Sequence, residues 1–221
     1  HYGYSQQKEE QRIESLLSYN VDGLILSENH HSERTLRMLE VANIPVIEIM
    51  DSSEIGFQQA VGFDNISAAQ SMVETMINRG HKHIVYFSAR MDKRTKLKMY
   101  GYELAMKKHG LTPHSLITEE HSSFTLGAQQ LRQALEQYPD IDGIFCTNDD
   151  LAIGALFECQ RLGIKIPKQI AIAGFHGHDV GQSLTPQLAT VITPRLEIGK
   201  VAAQELLERI NGIPQRSSII N

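Results

Sequence analysis

Short apolar runs alternate along this chain with longer stretches of helical period, and no other feature limits its fold as much. The apolar runs are "VDGLILS", "IPVIEIMD", "QAVGFDN", "HIVYFSA", "DGIFCTN", "IAIAGFH" and "LATVITP". Each is short, rich in β-branched or aromatic residues, and ends in a polar residue, as a buried strand does. Between them lie "EEQRIESLLSYN", "ERTLRMLEVAN", "ISAAQSMVETMINRGH", "KLKMYGYELAMKKHG", "TLGAQQLRQALEQYP", "DDLAIGALFECQRLG" and "LEIGKVAAQELLERING". These space their apolar residues as helices do, and several stop at glycine: Gly80, Gly110, Gly212. In the fourth, Leu97, Gly101, Leu104 and Ala105 are predicted to share the packed face. Strand–helix alternation of this kind predicts parallel sheets covered by helices on both faces. Ligands of such sheets sit at the carboxyl ends of the strands. That rule selects Ser27, Glu48, Asp51, Asp64, Ser88, Asn148, His176 and Thr193.

With 221 residues the chain can bury one core or form two small lobes. No stretch approaches the roughly 18 apolar residues of a membrane helix, so no membrane partner is expected. The start, "HYGYSQQKEEQ", has no apolar leader and no initiating Met, so His1 is not expected to be the natural beginning. Cys146 and Cys159 are too few for a disulfide framework and read as buried thiols in a reducing compartment. The net charge of −5 makes a poor nucleic-acid surface, so DNA contact requires a segment outside this sequence.

Several residues could carry chemistry. "GFHGHD" sets His176, His178 and Asp179 at a strand end, which fits either a metal site or a loop that hydrogen-bonds a polyol. No recognised ligand spacing such as HExxH or CxxC supports the metal reading. In "ARMDKRTKLK" the cations Arg90, Lys93, Arg94, Lys96 and Lys98 crowd a helix start, where the dipole opposes them. Arg94 and Lys98, four apart, are therefore read as an anion site. Arg195, after Pro194, could grip a carboxylate or pair with a surface acid. Glu48 lies inside an apolar strand and needs either a cation partner or a ligand hydroxyl. Asn148 offers donor and acceptor to a diol, and Asp149–Asp150 can cap the helix that follows.

The ordered series "DGLILS", "NIPVIEIMD", "VGFDN", "RGHKHI", "CTNDDLAIGA", "IAIAGFHGHD" and "TPRLEIG" resembles the effector-binding domain of the LacI/GalR family of bacterial transcription regulators. The variants "IEIMD", "GFHGHD" and "TPR" look most like its gluconate-utilisation branch. The resemblance implies a periplasmic-binding-protein type I fold: two Rossmann-like α/β lobes with a ligand cleft between them. Residues 1–69 and 193–221 would form an N-terminal lobe lacking its first segments, and 70–192 the C-terminal lobe. A helix-turn-helix domain absent from this chain would read operator DNA. The protein would be a cytoplasmic homodimer without cofactor, metal or catalysis.

Residue by residue, the resemblance implies that Asn148 contacts sugar hydroxyls and that His176 stands where most members have Asp. Lys98 stands where they have an effector-binding Arg, with Arg94 at a second contact position. Ser122 falls at a stacking-aromatic position, and Arg195 replaces an apolar residue. Fewer acids and aromatics with more cations favour a sugar acid, gluconate or a relative, over a neutral hexose. On this reading Arg94, Lys98 and Arg195 hold the carboxylate, while Ser122, Asn148 and His176 take hydroxyls. Glu48 accepts a further hydroxyl or pairs with one of the cations. Two other classes are open: a secreted solute-binding protein of the same fold, and a metal-dependent enzyme centred on His176, His178 and Asp179.

Overall fold

The computed structural model describes residues 5–27, 30–52, 57–214 and 218–219. In chain order the elements begin α1 (Gln6–Ser18), β1 (Leu24–Leu26), α2 (Glu33–Ala42), β2 (Val46–Ile49), β3 (Gln59–Gly62), α3 (Asn65–Asn78), β4 (Ile84–Phe87) and α4 (Lys93–Lys108). They continue β5 (His114–Leu116), α5 (Phe124–Gln137), β6 (Gly143–Cys146), α6 (Asp149–Leu162), β7 (Ala171–His176), α7 (Asp179–Gln182), β8 (Ala189–Ile192), α8 (Arg195–Ile210) and β9 (Ser218–Ile219). The chain divides into two compact units, His1–Asp64 with Pro194–Asn221, and Asn65–Thr193.

The first unit is built on a parallel sheet of order β1-β2-β3-β9. Ile13 of α1, Leu24 and Leu26 of β1, Leu39 of α2 and Val46 of β2 form its core on one face. Ser32 caps α2 by accepting the Thr35 amide at 3.2 Å, and Asn43 ends that helix in the left-handed conformation. Helix α8 packs on β1, β2 and β3.

The second unit is a parallel sheet of order β5-β4-β6-β7-β8. β4 and β6 are buried along their whole length, which is why their sequences are unbroken apolar runs. Alternate residues face opposite layers. Val85, Phe87, Ile144 and Cys146 join Leu131 of α5 and Leu156 of α6 in one core. Tyr86 points the other way and stacks on Tyr102 of α4, ring centroids 5.5 Å apart. Gly127 and Gly154 let α5 and α6 touch backbone to backbone, since a Cβ at either would collide with Leu151 or Phe124. Because β4 is flanked by β5 on one side and β6 on the other, the winding direction reverses between β4 and β6. The carboxyl ends of those strands therefore form a topological switch point.

The predicted elements differ from the observed ones in particular places. β5, β9 and the one-turn helix α7 carry too little apolar pattern to be expected from sequence. The strand predicted over "QAVGFDN" stops at Gly62, because Asn65 already opens α3. The packed face of α4 is Thr95, Lys98, Gly101, Tyr102, Ala105 and Met106, with Leu97 and Leu104 only partly buried. Gly101 sets that rotation: a Cβ there would strike the Ile66 carbonyl of α3. Asn148, not Asp149 or Asp150, caps α6, its Oδ1 accepting the Leu151 amide at 3.1 Å.

Candidate functional site

The switch point of the second unit collects the polar groups that matter. Where β4 ends, Ser88 is wholly engaged: its amide donates to Leu116 and its carbonyl accepts from Gln130 at 2.8 Å. Its hydroxyl accepts the Thr118 amide at 3.2 Å. The chain then turns through Arg90 and Met91, with φ of 58° and 23°, and Asp92 caps α4 by accepting the Thr95 amide at 2.8 Å.

Lys98 lies one turn further, on the stripe that packs inward, and is 3% exposed. Its Nζ donates to the Thr147 carbonyl at 3.0 Å and to His176 Nε2 at 3.2 Å. The ring face of Phe175 lies 4.1 Å away. Among the described residues no carboxylate stands within ion-pair distance of this ammonium. Burial, and then the charge of nearby Arg94, lower its pKa from 10.5 to about 7.

Where Nζ is the donor, Nε2 carries no proton and the imidazole is the Nδ1–H tautomer. Nδ1–H then donates to Thr193 Oγ1 at 3.0 Å. The backbone of His176 is strained, with φ of 110°, and Gly177 follows at 68°. Asp149 and Thr190 hold this turn. Thr190 Oγ1 donates to Asp149 Oδ1 at 2.6 Å and accepts the Gly177 amide at 3.2 Å, while Asp149 Oδ2 accepts the His178 amide. Gly174 is required beneath, because a Cβ would run into the Asp149 carboxylate.

Ser122 and Asn148 meet: Ser122 Oγ donates to Asn148 Oδ1 at 2.9 Å. Since Oδ1 also caps α6, only the amide end of Asn148 remains for a ligand. Arg94 is half-buried and close enough to Lys98 to act on its charge. His176 and His178 stack, ring centroids 5.9 Å apart. Among the described residues no group of three or more His, Cys, Asp or Glu side chains is arranged to hold a metal ion.

Glu48 and Arg195 belong to the first unit. Arg195 is exposed at the start of α8. Glu48 is 2% exposed, and the cation beside it is His31. His31 Nε2 lies 2.9 Å from Glu48 Oε1, and Nδ1 lies 3.0 Å from Glu9 Oε2. Glu48 Oε2 also accepts the Phe57 amide at 2.8 Å. Burial alone would lower the His31 pKa. The hydrogen bonds to Glu48 and Glu9, with their charges, outweigh it and raise the value from 6.5 to about 9. Sequence reasoning did not single out His31 or Glu9. The signal was present, because an acid at the packed position four residues before Ile13 needs a partner as much as Glu48 does.

All of the chain, residues 1–221, matches the family model described as periplasmic binding proteins and sugar binding domain of LacI family. The chain belongs to this family. It is 56% identical over 212 residues to the HTH-type transcriptional regulator GntR of Escherichia coli K12, covering 96% of this chain and 64% of that protein. It is 47% identical over 210 residues to the HTH-type transcriptional regulator IdnR of the same organism, covering 95% and 63% respectively. The chain thus spans just under two thirds of the curated relatives it matches. A crystal structure of transcription regulator GntR from Chromobacterium violaceum superposes with a TM-score of 0.93 at 34% identity, covering 97% of this chain and 81% of that one. The expected α/β fold with two parallel-sheet lobes therefore holds. The relatives are named as regulators, not enzymes, and among the described residues no helix is long and apolar enough to cross a membrane.

Proposed function

We propose that this family domain is the effector sensor of a cytoplasmic, dimeric bacterial transcription repressor and that its effector is gluconate or a closely related sugar acid. The observation that carries the reading is Lys98: a buried ammonium whose close partners, the Thr147 carbonyl and His176 Nε2, are uncharged. An isolated buried charge is costly, and a ligand carboxylate would supply the counter-ion. Arg94 adds positive potential at the same place. The Asn148 amide, Ser122 and His176 are assigned to hydroxyls. Arg195 as a second carboxylate contact and Glu48 as a hydroxyl acceptor enter through the family resemblance. The names of the regulators GntR and IdnR support the same class of protein. Operator binding would be made by a segment outside this chain, and sensing would rest on a difference in effector affinity between two conformations.

The test is thermal shift and calorimetry with gluconate, other aldonates, 6-phosphogluconate, glucose and glucitol. A ligand at a hundred times its Kd stabilises by about 2.7 kcal/mol. Sugar acids should raise the melting temperature and the neutral compounds should not. Preference for glucose or glucitol over gluconate would refute the reading.

A further inference from the structure

We propose that anion binding at Lys98 draws a proton from solvent onto the lysine, so that the site takes an ionised acid together with a proton and loosens above neutral pH. This rests on the sugar-acid reading and adds to it a proton stoichiometry that the reading alone does not require.

The argument is geometric. Lys98 is 3% exposed, and its hydrogen-bonding partners are a carbonyl and an imidazole nitrogen, both able to accept but neither able to balance a charge. The acids nearest in influence are engaged elsewhere. Asp92 accepts the Thr95 amide as the cap of α4, and Asp149 of α6 accepts from Thr190 Oγ1 and the His178 amide. The cations Arg94 and Arg90, on and before α4, act on Lys98 in the opposite sense. β7 contributes His176, whose Nε2 points its lone pair at Nζ. The free site is thus a buried amine in contact with dipoles, with no carboxylate among the described residues paired to it and with Asp92 and Asp149 only partly offsetting burial and the two arginines. Burial and Arg94 accordingly hold its pKa at about 7. A carboxylate placed against Nζ reverses the balance and holds the proton.

The linkage is quantitative. With the free amine at about 7, binding takes up about half a proton per site at pH 7, about nine-tenths at pH 8 and about one-tenth at pH 6. Affinity should therefore be about tenfold weaker at pH 8 than at pH 6.

The experiment is titration of the protein with sodium gluconate in buffers of different ionisation enthalpy (Bis-Tris, imidazole, HEPES) across that pH range. The slope of observed enthalpy against buffer enthalpy counts protons. The expected result is uptake that grows with pH, abolished in K98R, whose guanidinium stays charged, and retained in H176N. Gluconate binding with no proton uptake overturns this inference and leaves the sugar-acid reading standing. Uptake that survives in K98R and vanishes in H176N assigns the proton to the imidazole and also overturns it. Absence of gluconate binding at every pH refutes the underlying reading instead. Wild-type binding without proton uptake overturns the inference even if a variant fails to fold.

Discussion

Replacing His31 by glutamine probes the buried link between α1, β2 and the segment before α2. His31 presents both ring nitrogens to carboxylates, at 3.0 Å from Glu9 and 2.9 Å from Glu48, and the three side chains are 1%, 5% and 2% exposed. The imidazolium is thus the counter-ion of two buried acids. Its folded pKa of about 9 lies above the ordinary 6.5, so the link stabilises fully below about 6.5, weakens between 6.5 and 9, and is lost as pH rises through 9. A shift of that size is at most about 3 kcal/mol. In H31Q the amide cannot balance either acid, and breaking a buried pair by removing one partner costs about 3–5 kcal/mol. Urea unfolding followed by circular dichroism at pH 6, 7, 8 and 9 gives the test. H31Q should lose most relative to wild type at pH 6 and least at pH 9, since the wild type surrenders the same energy as it deprotonates. A second variant, H31Q with Glu48→Gln, removes one of the stranded acids and should recover part of the loss. A deficit below about 1 kcal/mol at pH 6, or one that does not shrink with pH, would refute the assignment of His31 as a buried cation.

Four further outcomes test the fold and the proposed site. Lys98→Met should weaken gluconate binding by about 2–4 kcal/mol while leaving the melting temperature of the free protein unchanged or higher, because a lone buried amine is replaced by an apolar chain of similar length; calorimetry and thermal melts read the two effects separately. Gly154→Ala should destabilise by about 1–3 kcal/mol in urea melts, since its Cβ meets the Phe124 carbonyl at the α5–α6 contact. Arg195→Ala should cost about 2–4 kcal/mol of gluconate affinity if its bond to the carboxylate is buried; an unchanged Kd removes Arg195 from the site. His176→Asp should give Lys98 a carboxylate of its own and select against anions, and tighter gluconate binding in that variant would contradict the role given to His176.

The strands of the fold were legible because β4 and β6 are covered on both faces, so no polar residue interrupts them. β5 was not, since an edge strand with sequence "HSL" buries only Leu116 among its residues. The cation cluster before and along α4 was legible as a charge anomaly, but the depth of Lys98 was not. The leucines at 97 and 104 suggest one packed face, and the backbone contact of Gly101 with α3 selects another. That choice depends on a neighbouring helix, which periodicity within α4 does not contain. His31 escaped notice for a related reason. Its partners lie 22 and 17 residues away on α1 and β2, and only folding brings them together.

The two buried cations show what separates a structural charge from one that, on the proposed reading, awaits a ligand. His31 is held between two carboxylates of its own chain, and their pull overcomes burial and raises its pKa to about 9. Lys98 is also buried, yet its pKa falls to about 7, because burial and the charge of Arg94 outweigh the pull of Asp92 and Asp149, neither of which forms an ion pair with it. Desolvation acts in the same direction on both. The sign of the outcome is decided by whether the fold supplies an anion. It does so for His31 and withholds one from Lys98, although a single acid at the position of His176 would have sufficed. An imidazole there keeps a nitrogen within hydrogen-bond distance of Nζ without supplying a counter-ion, which fits the proposed reading in which the counter-ion arrives with the effector.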